Sequence, residues 1–349
     1  MKKFFVPLAV FLIFFEFISL IFTKFGLFYF NEEPKYSYEE KFLHDWIELD
    51  NDGIVWHKKN YETRHVSRCF DVLYKTNNVG ARDNSDYFKK DKKKSIILIG
   101  DSFAEGPGVD IDKIFAKIVE KKTGKKVLNF GNSGTEPKTQ LARYLKFNKD
   151  YNFDEMIYFF LPQNDYSEKK IVNSNLAQDA NNEKKIINLN IVKYNISDFL
   201  ARFTYTYNFL RTISYLFDIN YKYNFGNISY FYKIEENINY TFSYVEKIIS
   251  TKKVKSYIII IPTIYDINNF QRNGVNYKKL HWYKKMIELS DRNKTKLIDL
   301  MDYINFEKKS KYFHSCDGHW SEYGNSFAAD VFLKNYNLDN LDNSKFEID

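Results

Sequence analysis

Four short polar segments of the chain carry residue types that together could transfer an acyl group. The first is Gly100-Asp101-Ser102, where a serine directly after an apolar run can present its hydroxyl as a nucleophile. The last segment contains Asp317 and His319, whose side chains point the same way if the backbone is extended. The carboxylate can then orient an imidazole that accepts the serine proton, as in a Ser-His-Asp triad.

The two segments between them contain candidate oxyanion donors. In Gly131-Asn132-Ser133-Gly134, the second glycine, Gly134, lets its backbone N–H approach a reacting carbonyl oxygen. In Pro162-Gln163-Asn164-Asp165, the Asn164 side chain can donate an N–H to the same oxygen. Each segment alone also fits an ordinary turn, and Asp-Ser is also a common helix cap. Their occurrence in this order favours the catalytic interpretation.

The elements that must position these residues alternate between strand and helix. Apolar runs predict buried parallel strands at 95–99, 127–130, 156–161, 257–261 and 296–300. The intervening patterns predict helices at 111–122, 139–149, 277–290 and 326–336, the first of them ending at Gly124. In open α/β sheets a ligand lies beyond the carboxyl ends of the strands. The sequence therefore predicts an α/β domain whose site is built from the loops after its strands.

The order Ser, Gly, Asn and His on four such loops resembles the SGNH family, also called the GDSL hydrolases. The resemblance covers roughly residues 95–336 with the middle insertion unmatched, and it implies a three-layer Rossmann-like or flavodoxin-like parallel sheet. It also implies Ser102 as nucleophile, His319 as base and Asp317 as its orienting partner. The implied oxyanion donors are the backbone N–H groups of Ser102 and Gly134 and the side-chain amide of Asn164.

Two departures from the family pattern stand out. The third block usually begins with glycine, where this chain has Pro162. The last block is usually Asp-x-x-His, whereas Asp317 and His319 have the spacing of the acetyltransferases of alginate and related polysaccharides, which place the serine after that pair. The segment 78–83 also looks like one that precedes the serine block in membrane-anchored SGNH proteins of surface-polysaccharide clusters.

The N-terminal segment predicts attachment to a membrane. Residues 4–23 carry a single charge, Glu16, and as a helix they would span roughly 30 Å, the thickness of the hydrocarbon layer. Lys2 and Lys3 precede the segment and four glutamates follow it by residue 40, which favours a cytoplasmic N-terminus. A cleaved signal peptide is the alternative, but the apolar region is long and lacks a small-x-small site. We expect a single-pass anchor at 1–24 and a catalytic domain outside the cytoplasm, periplasmic or extracellular.

The rest of the chain divides by composition. Residues 25–94 predict an irregular lead-in, 95–338 the hydrolase-like domain and 339–349 a C-terminal tail. Within that domain, about 166–252 predict a helical insertion, with a helix such as 197–217, whose many tyrosines and phenylalanines suit either the insertion's own core or a glycan surface.

Composition excludes several classes of function. The net charge of +7 is spread along the chain, which argues against nucleic acid as a partner. The remaining histidines lack metal-site spacing and no nucleotide-binding motif occurs, so we expect neither a metal nor a cofactor. Cys69 and Cys316 could form one disulfide or remain two free thiols.

These observations predict a serine-dependent ester hydrolase that works through an acyl-serine. Its expected substrates are acyl esters, with acetyl as the expected group, of an extracytoplasmic glycan or lipid-linked molecule. An O-acyltransferase that modifies a surface polysaccharide with the same triad is the alternative. A non-catalytic scaffold of the same fold, with partners in envelope assembly, is a third interpretation.

Overall fold

The structure, a computed structural model, divides the chain into two compact units. One unit comprises Met1–Asp45 and Lys170–Asn227, and the other Trp46–Lys169 and Ile228–Asp349. The described residues are 2–24, 46–49, 55–67, 69–91, 94–162, 165–166, 200, 204–207, 210, 235–274, 276–314 and 318–344.

The second unit is built on a five-stranded parallel sheet. Its strands are β5 (Ser95–Gly100), β6 (Lys126–Gly131), β7 (Glu155–Phe160), β8 (Lys255–Ile260) and β9 (Lys296–Asp299), in the order β6-β5-β7-β8-β9. Within the sheet this is the order 2-1-3-4-5 of flavodoxin-like folds. Strands β5 and β7 are buried at every residue, which is why they occur in the sequence as continuous apolar runs. The predicted parallel sheet is therefore confirmed.

Helices cover both faces of this sheet. The described helices of this unit are α2 (Ser102–Glu105), α3 (Phe115–Thr123), α4 (Pro137–Phe147), α5 (Glu235–Ser250), α6 (Ile264–Asn273), α7 (His281–Arg292) and α8 (Glu322–Ser344). The first helix of the chain, α1 (Lys2–Lys24), belongs to the other unit. Two consecutive residues of β7 show which helices lie on which face, because alternate side chains of a strand point to opposite faces of the sheet. Phe159 packs on Phe115 of α3, whereas the Tyr158 hydroxyl donates to Gln140 of α4. The described helices thus form the three layers expected from the sequence.

Several predicted helix bounds need correction. The helix predicted at 111–122 is a 3-10 turn, Ile111–Lys113, followed by α3, because Ile114 adopts an extended conformation between them. The side chain of Asn325 accepts a hydrogen bond from the Phe115 N–H and so begins α3. Gly124 ends α3 in a left-handed conformation, as predicted. Helix α8 begins at Glu322 and continues through the predicted boundary at 338, and α6 was not predicted.

The segment predicted as an irregular lead-in contains regular structure. Strands β1 (Ile47–Leu49) and β2 (Val55–His57) form one antiparallel pair, and β3 (Glu62–Ser67) and β4 (Phe70–Lys75) form another. Charged residues interrupt β3 and hide its period in the sequence. The following loop is also part of the folded unit, since Arg82 is buried to 1% exposure.

The other unit contains α1, which occupies the segment predicted as a membrane anchor. Its apolar side chains include the exposed Phe11, Ile13 and Phe14. The Glu16 carboxylate accepts hydrogen bonds from the backbone N–H groups of Tyr205 and Thr206. In the described part of the chain, no helix has the length and apolar character needed to cross a membrane. Most of the predicted insertion, including most of 197–217, lies outside the described residues.

Candidate active site

Ser102 is the first residue of the four-residue helix α2, just beyond the carboxyl end of β5, which lies between β6 and β7 in the sheet. The Asp101 side chain caps this helix by accepting a hydrogen bond of 3.0 Å from the Phe103 N–H. Gly106 ends the helix with a positive φ of 82°, a conformation that glycine adopts without steric cost. These two caps hold the Ser102 side chain, which is 5% exposed, at the edge of the sheet.

His319 lies beside this serine, with 2.8 Å between its Nε2 and the Ser102 Oγ. Two backbone hydrogen bonds fix the imidazole's segment: His314 N–H donates to the His319 carbonyl and Ser321 N–H to the Tyr312 carbonyl. If the serine hydroxyl donates to Nε2, a neutral imidazole carries its own proton on Nδ1. The arrangement is that of a serine hydroxyl and the base that can deprotonate it.

Gly134 lies in the loop after β6, the strand that pairs with β5 on its outer side. Its φ is +71°, and the two residues before it are fixed by hydrogen bonds. Asn132 N–H donates to the Gly100 carbonyl at 3.1 Å, and Ser133 N–H donates to the Glu105 carboxylate at 2.6 Å. Among the described residues, neither Gly134 N–H nor Ser102 N–H has a hydrogen-bond acceptor. Both donors are thus available to a ligand.

Two predicted site residues, Asn164 and Asp317, lie outside the described residues, so their roles stay predictions. Asp165, which directly follows Asn164, is completely buried and accepts a hydrogen bond of 2.6 Å from the Leu161 N–H. Burial, together with the nearby Asp101 carboxylate, raises the pKa of Asp165 well above its usual range. Asp165 therefore fixes the start of the loop after β7 through its hydrogen bond to Leu161.

The sequence reasoning missed a buried polar cluster behind Ser102. It consists of Glu105, His57, Tyr74 and Arg82, which we call the Glu105 cluster. An acid inside the serine segment and the resemblance noted at 78–83 were the only signals in the sequence. In the described part of the chain, no three His, Cys, Asp or Glu side chains are grouped so that they could hold a metal ion.

Cys69, in the turn between β3 and β4, is disulfide-bonded. The sequence contains one other cysteine, Cys316, which lies outside the described residues. The described neighbours of both are close together, since the Phe70 and His314 rings have centroids 4.9 Å apart. The β3–β4 turn therefore contacts the segment that leads to His319.

Comparisons with known proteins give similarity in solved structures alone. No family model matches the chain, and no curated protein matches it. A member of the lipolytic G-D-S-L protein family from Veillonella parvula is 12% identical, with 69% of this chain and 97% of that chain covered and a TM-score of 0.39. A lipase/acylhydrolase from Enterococcus faecalis is 14% identical, with 69% of this chain and 94% of that chain covered and a TM-score of 0.37. An acetyl xylan esterase is 15% identical, with 69% of this chain and 98% of that chain covered and a TM-score of 0.38. Similarities this weak assign neither a family nor an activity to the chain.

Proposed function

We propose that this chain is a serine-dependent ester hydrolase that acts through an acyl-serine intermediate. One observation carries the proposal: the Ser102 Oγ and the His319 Nε2 lie 2.8 Å apart at the carboxyl end of β5. A nucleophile and a base within hydrogen-bond reach are the minimum machinery for acyl transfer. The free N–H groups of Ser102 and Gly134 supply the matching oxyanion donors.

In the first half of the proposed reaction, the Ser102 Oγ attacks the ester carbonyl carbon while its proton passes to the His319 Nε2. The carbonyl oxygen becomes an oxyanion that the Ser102 and Gly134 N–H groups stabilise. The carbon–oxygen bond to the alcohol then breaks, and the imidazolium returns the proton to the leaving alkoxide. Asn164 and Asp317 keep their predicted roles as a third oxyanion donor and as the partner of the imidazole.

In the second half, a water molecule attacks the acyl-serine and gives its proton to His319. The second tetrahedral intermediate collapses to a free acid, and Ser102 recovers its proton from the imidazolium. A sugar hydroxyl in place of water would make the same residues an O-acyltransferase, because the acyl-serine is common to both reactions.

We extend the proposal to location and substrate. In it, the residues after α1 lie outside the cytoplasm, where acyl esters of glycans or lipid-linked glycans are the substrates. The disulfide at Cys69 supports this location, since disulfides persist in oxidising compartments. A reporter fused after Asp349 should be active only if it is a type that works outside the cytoplasm, and cytoplasmic reporter activity would contradict the location.

The test of the enzyme itself compares wild type with Ser102→Ala on p-nitrophenyl acetate and a fluorophosphonate probe. We expect turnover to fall about 10⁴- to 10⁶-fold in the variant, because binding and the oxyanion hole alone remain. The matched control is Ser133→Ala, which removes a buried serine hydroxyl from the neighbouring loop but keeps the backbone N–H. Labelling of Ser102→Ala, or wild-type turnover in it, would reject the proposal.

A second experiment distinguishes hydrolysis from transfer. The enzyme is incubated with an acyl donor and candidate surface oligosaccharides, and acyl groups are followed by mass spectrometry. Release of free acid from an already acylated glycan, lost in Ser102→Ala, would support the hydrolase. Acylated oligosaccharide that forms faster than free acid would identify a transferase instead.

A further inference from the structure

The carboxylate of Glu105 lies behind the candidate active site and links two of its loops. Glu105 follows Ser102 by three positions, closes α2 and has 0% exposure. Its Oε2 accepts a hydrogen bond of 2.6 Å from the Ser133 N–H, and its Oε1 accepts one of 2.6 Å from the Tyr74 hydroxyl. The nucleophile helix thus binds the backbone of the loop that contains Gly134 through one fixed side chain.

Residues far upstream in the chain hold this carboxylate. His57, also 0% exposed, places its Nε2 3.4 Å from Oε2, and its Nδ1 donates to the Gly80 carbonyl at 2.9 Å. The Arg82 guanidinium lies 4.8 Å from the centre of the Tyr74 ring and donates to the backbone carbonyl of Glu105. Burial alone would raise the pKa of Glu105, but the neighbouring His57 and the hydrogen bonds from Tyr74 and Ser133 hold that pKa well below its usual range.

The contact with Ser133 bears directly on the neighbouring oxyanion donor. Asn132 N–H is bound to the Gly100 carbonyl and Ser133 N–H to Glu105, so two consecutive peptide groups are fixed before Gly134. The N–H of Gly134 follows them and has no acceptor among the described residues. The peptide group of Gly134 thus comes directly after two peptide groups that Gly100 and Glu105 hold.

We propose that Glu105 is a positioning residue, held by His57, Tyr74 and Arg82, that sets the direction of the Gly134 N–H relative to Ser102. This inference rests on the proposed function, because it gives the cluster a role in stabilising the oxyanion. It also gives His57, Tyr74 and Arg82 a part in the reaction that they perform through Glu105. A purely structural buried carboxylate would stabilise the fold without changing the chemistry of the bound state.

The test separates these two roles with four variants. Glu105→Leu removes the acceptor of the Ser133 N–H, whereas Glu105→Gln keeps one oxygen that can accept it. The matched controls are Glu155→Leu and Glu155→Gln, since Glu155 is also buried and ion-paired, with Lys125, but lies in the first position of β7, at the far end of the sheet. For each variant, kcat and KM are measured on p-nitrophenyl acetate at a temperature where circular dichroism shows it folded. The dissociation constant of a boronic acid that forms a tetrahedral adduct with the serine is measured in parallel.

We expect kcat of Glu105→Leu to fall about 10²-fold, the usual effect of a misplaced or lost oxyanion donor, with KM unchanged within about threefold. The boronic acid should bind more weakly by a similar factor, because its adduct needs the same donor. Glu105→Gln should recover most of both losses. Both Glu155 variants should keep kcat and boronic acid affinity near wild type, even where they unfold at lower temperature.

Three results would overturn the inference. One is a folded Glu105→Leu with wild-type kcat, a second is a fall in kcat without weaker boronic acid binding, and a third is an equal loss in Glu155→Leu. If Glu105→Leu does not fold, Tyr74→Phe takes its place in the test. This substitution removes one hydrogen bond to the Glu105 carboxylate and keeps the aromatic ring of residue 74. Equal kcat and boronic acid affinity in Tyr74→Phe and wild type would then reject the inference. Wild-type protein that neither hydrolyses the ester nor reacts with a fluorophosphonate would reject the proposed function instead.

Discussion

The Ser102 Oγ and the His319 Nε2 are 2.8 Å apart, although 217 positions separate the two residues in the chain. The fold brings them together, since the serine lies just after β5 and the histidine just before α8. A serine hydroxyl with its own base at this distance can lose its proton as it attacks a carbonyl carbon.

Replacing the base should therefore nearly abolish hydrolysis. We expect His319→Gln to lower kcat/KM for p-nitrophenyl acetate by about 10⁴-fold or more, because an amide cannot accept the serine proton. The control is His281→Gln, since the His281 side chain is 55% exposed and pairs only weakly with Glu235. Equal activity of the two variants would contradict the assignment of the base.

The partner of the base is predicted from sequence alone, so a variant must test it. Asp317→Asn should lose activity on the order of 10⁴-fold, as when the orienting carboxylate of a serine protease triad is replaced. Cys316→Ala changes the adjacent residue and should retain turnover at a temperature where it is folded. If Cys316→Ala is the less active of the two, the Asp-x-His pairing is wrong.

Stability should depend on pH through Asp83. This carboxylate is buried, and it accepts hydrogen bonds from Lys117 at 3.0 Å, Lys126 at 3.2 Å and the Tyr87 hydroxyl at 2.9 Å. Burial would raise the pKa of Asp83, but the charges of Lys126 and Lys117 outweigh it, and the pKa is lowered. A pKa lowered by folding stabilises the fold above the unfolded value, about 4, and this stabilisation is lost as the pH falls further.

Asp83→Asn should accordingly cost about 3 kcal/mol of unfolding free energy at pH 7, the usual effect of breaking a buried ion pair. The difference from wild type should shrink as the pH falls below about 4. Urea unfolding at pH 7, 5 and 3 measures both effects. Asp71→Asn is the control, because its ion pair with Arg64 is exposed and should contribute less than about 1 kcal/mol. A cost that stays constant with pH would contradict the prediction.

Close packing at the end of β6 should make Gly131 irreplaceable. A Cβ at this position would lie 2.4 Å from the backbone nitrogen of Glu105 and 2.6 Å from the carbonyl carbon of Ala104. Gly131→Ala should therefore displace α2 and reduce both turnover and stability, the latter by about 2 kcal/mol or more. Gly124→Ala is the control: its φ is +70° and its Cβ would meet open space. It should cost about 1 kcal/mol through the left-handed backbone and leave turnover unchanged.

Reduction of the disulfide at Cys69 should destabilise the second unit. We expect Cys69→Ser to lose about 2 to 5 kcal/mol of unfolding free energy, the usual range for removal of a native disulfide. Dithiothreitol should lower the Tm of wild type to that of the variant and leave the variant unchanged. For this measurement the wild type is first unfolded in denaturant with dithiothreitol and then refolded. An unchanged Tm after this treatment would show that the disulfide does not stabilise this unit.

The sequence allowed the sheet and the pairing of Ser102 with His319 to be predicted, but not the Glu105 cluster. Strands buried on both faces must be apolar throughout, so β5 and β7 can be recognised locally. Arg82 and Glu105, by contrast, are charged residues that a local pattern places at the surface. Their burial depends on partners such as Tyr74, which is 31 positions from Glu105 and reaches it only in the folded unit.

The pairing of β7 with β8 also determines how the second unit folds. It joins Glu155 to Lys255, 100 positions along the chain, whereas β5, β6 and β7 pair within a span of 66 residues. Closing the longer loop costs little extra free energy, about 0.6 kcal/mol for each doubling of its length, but such distant contacts form slowly. We therefore expect the nucleophile's half of the sheet to form first, and the histidine to reach the serine in the late, slow phase of folding.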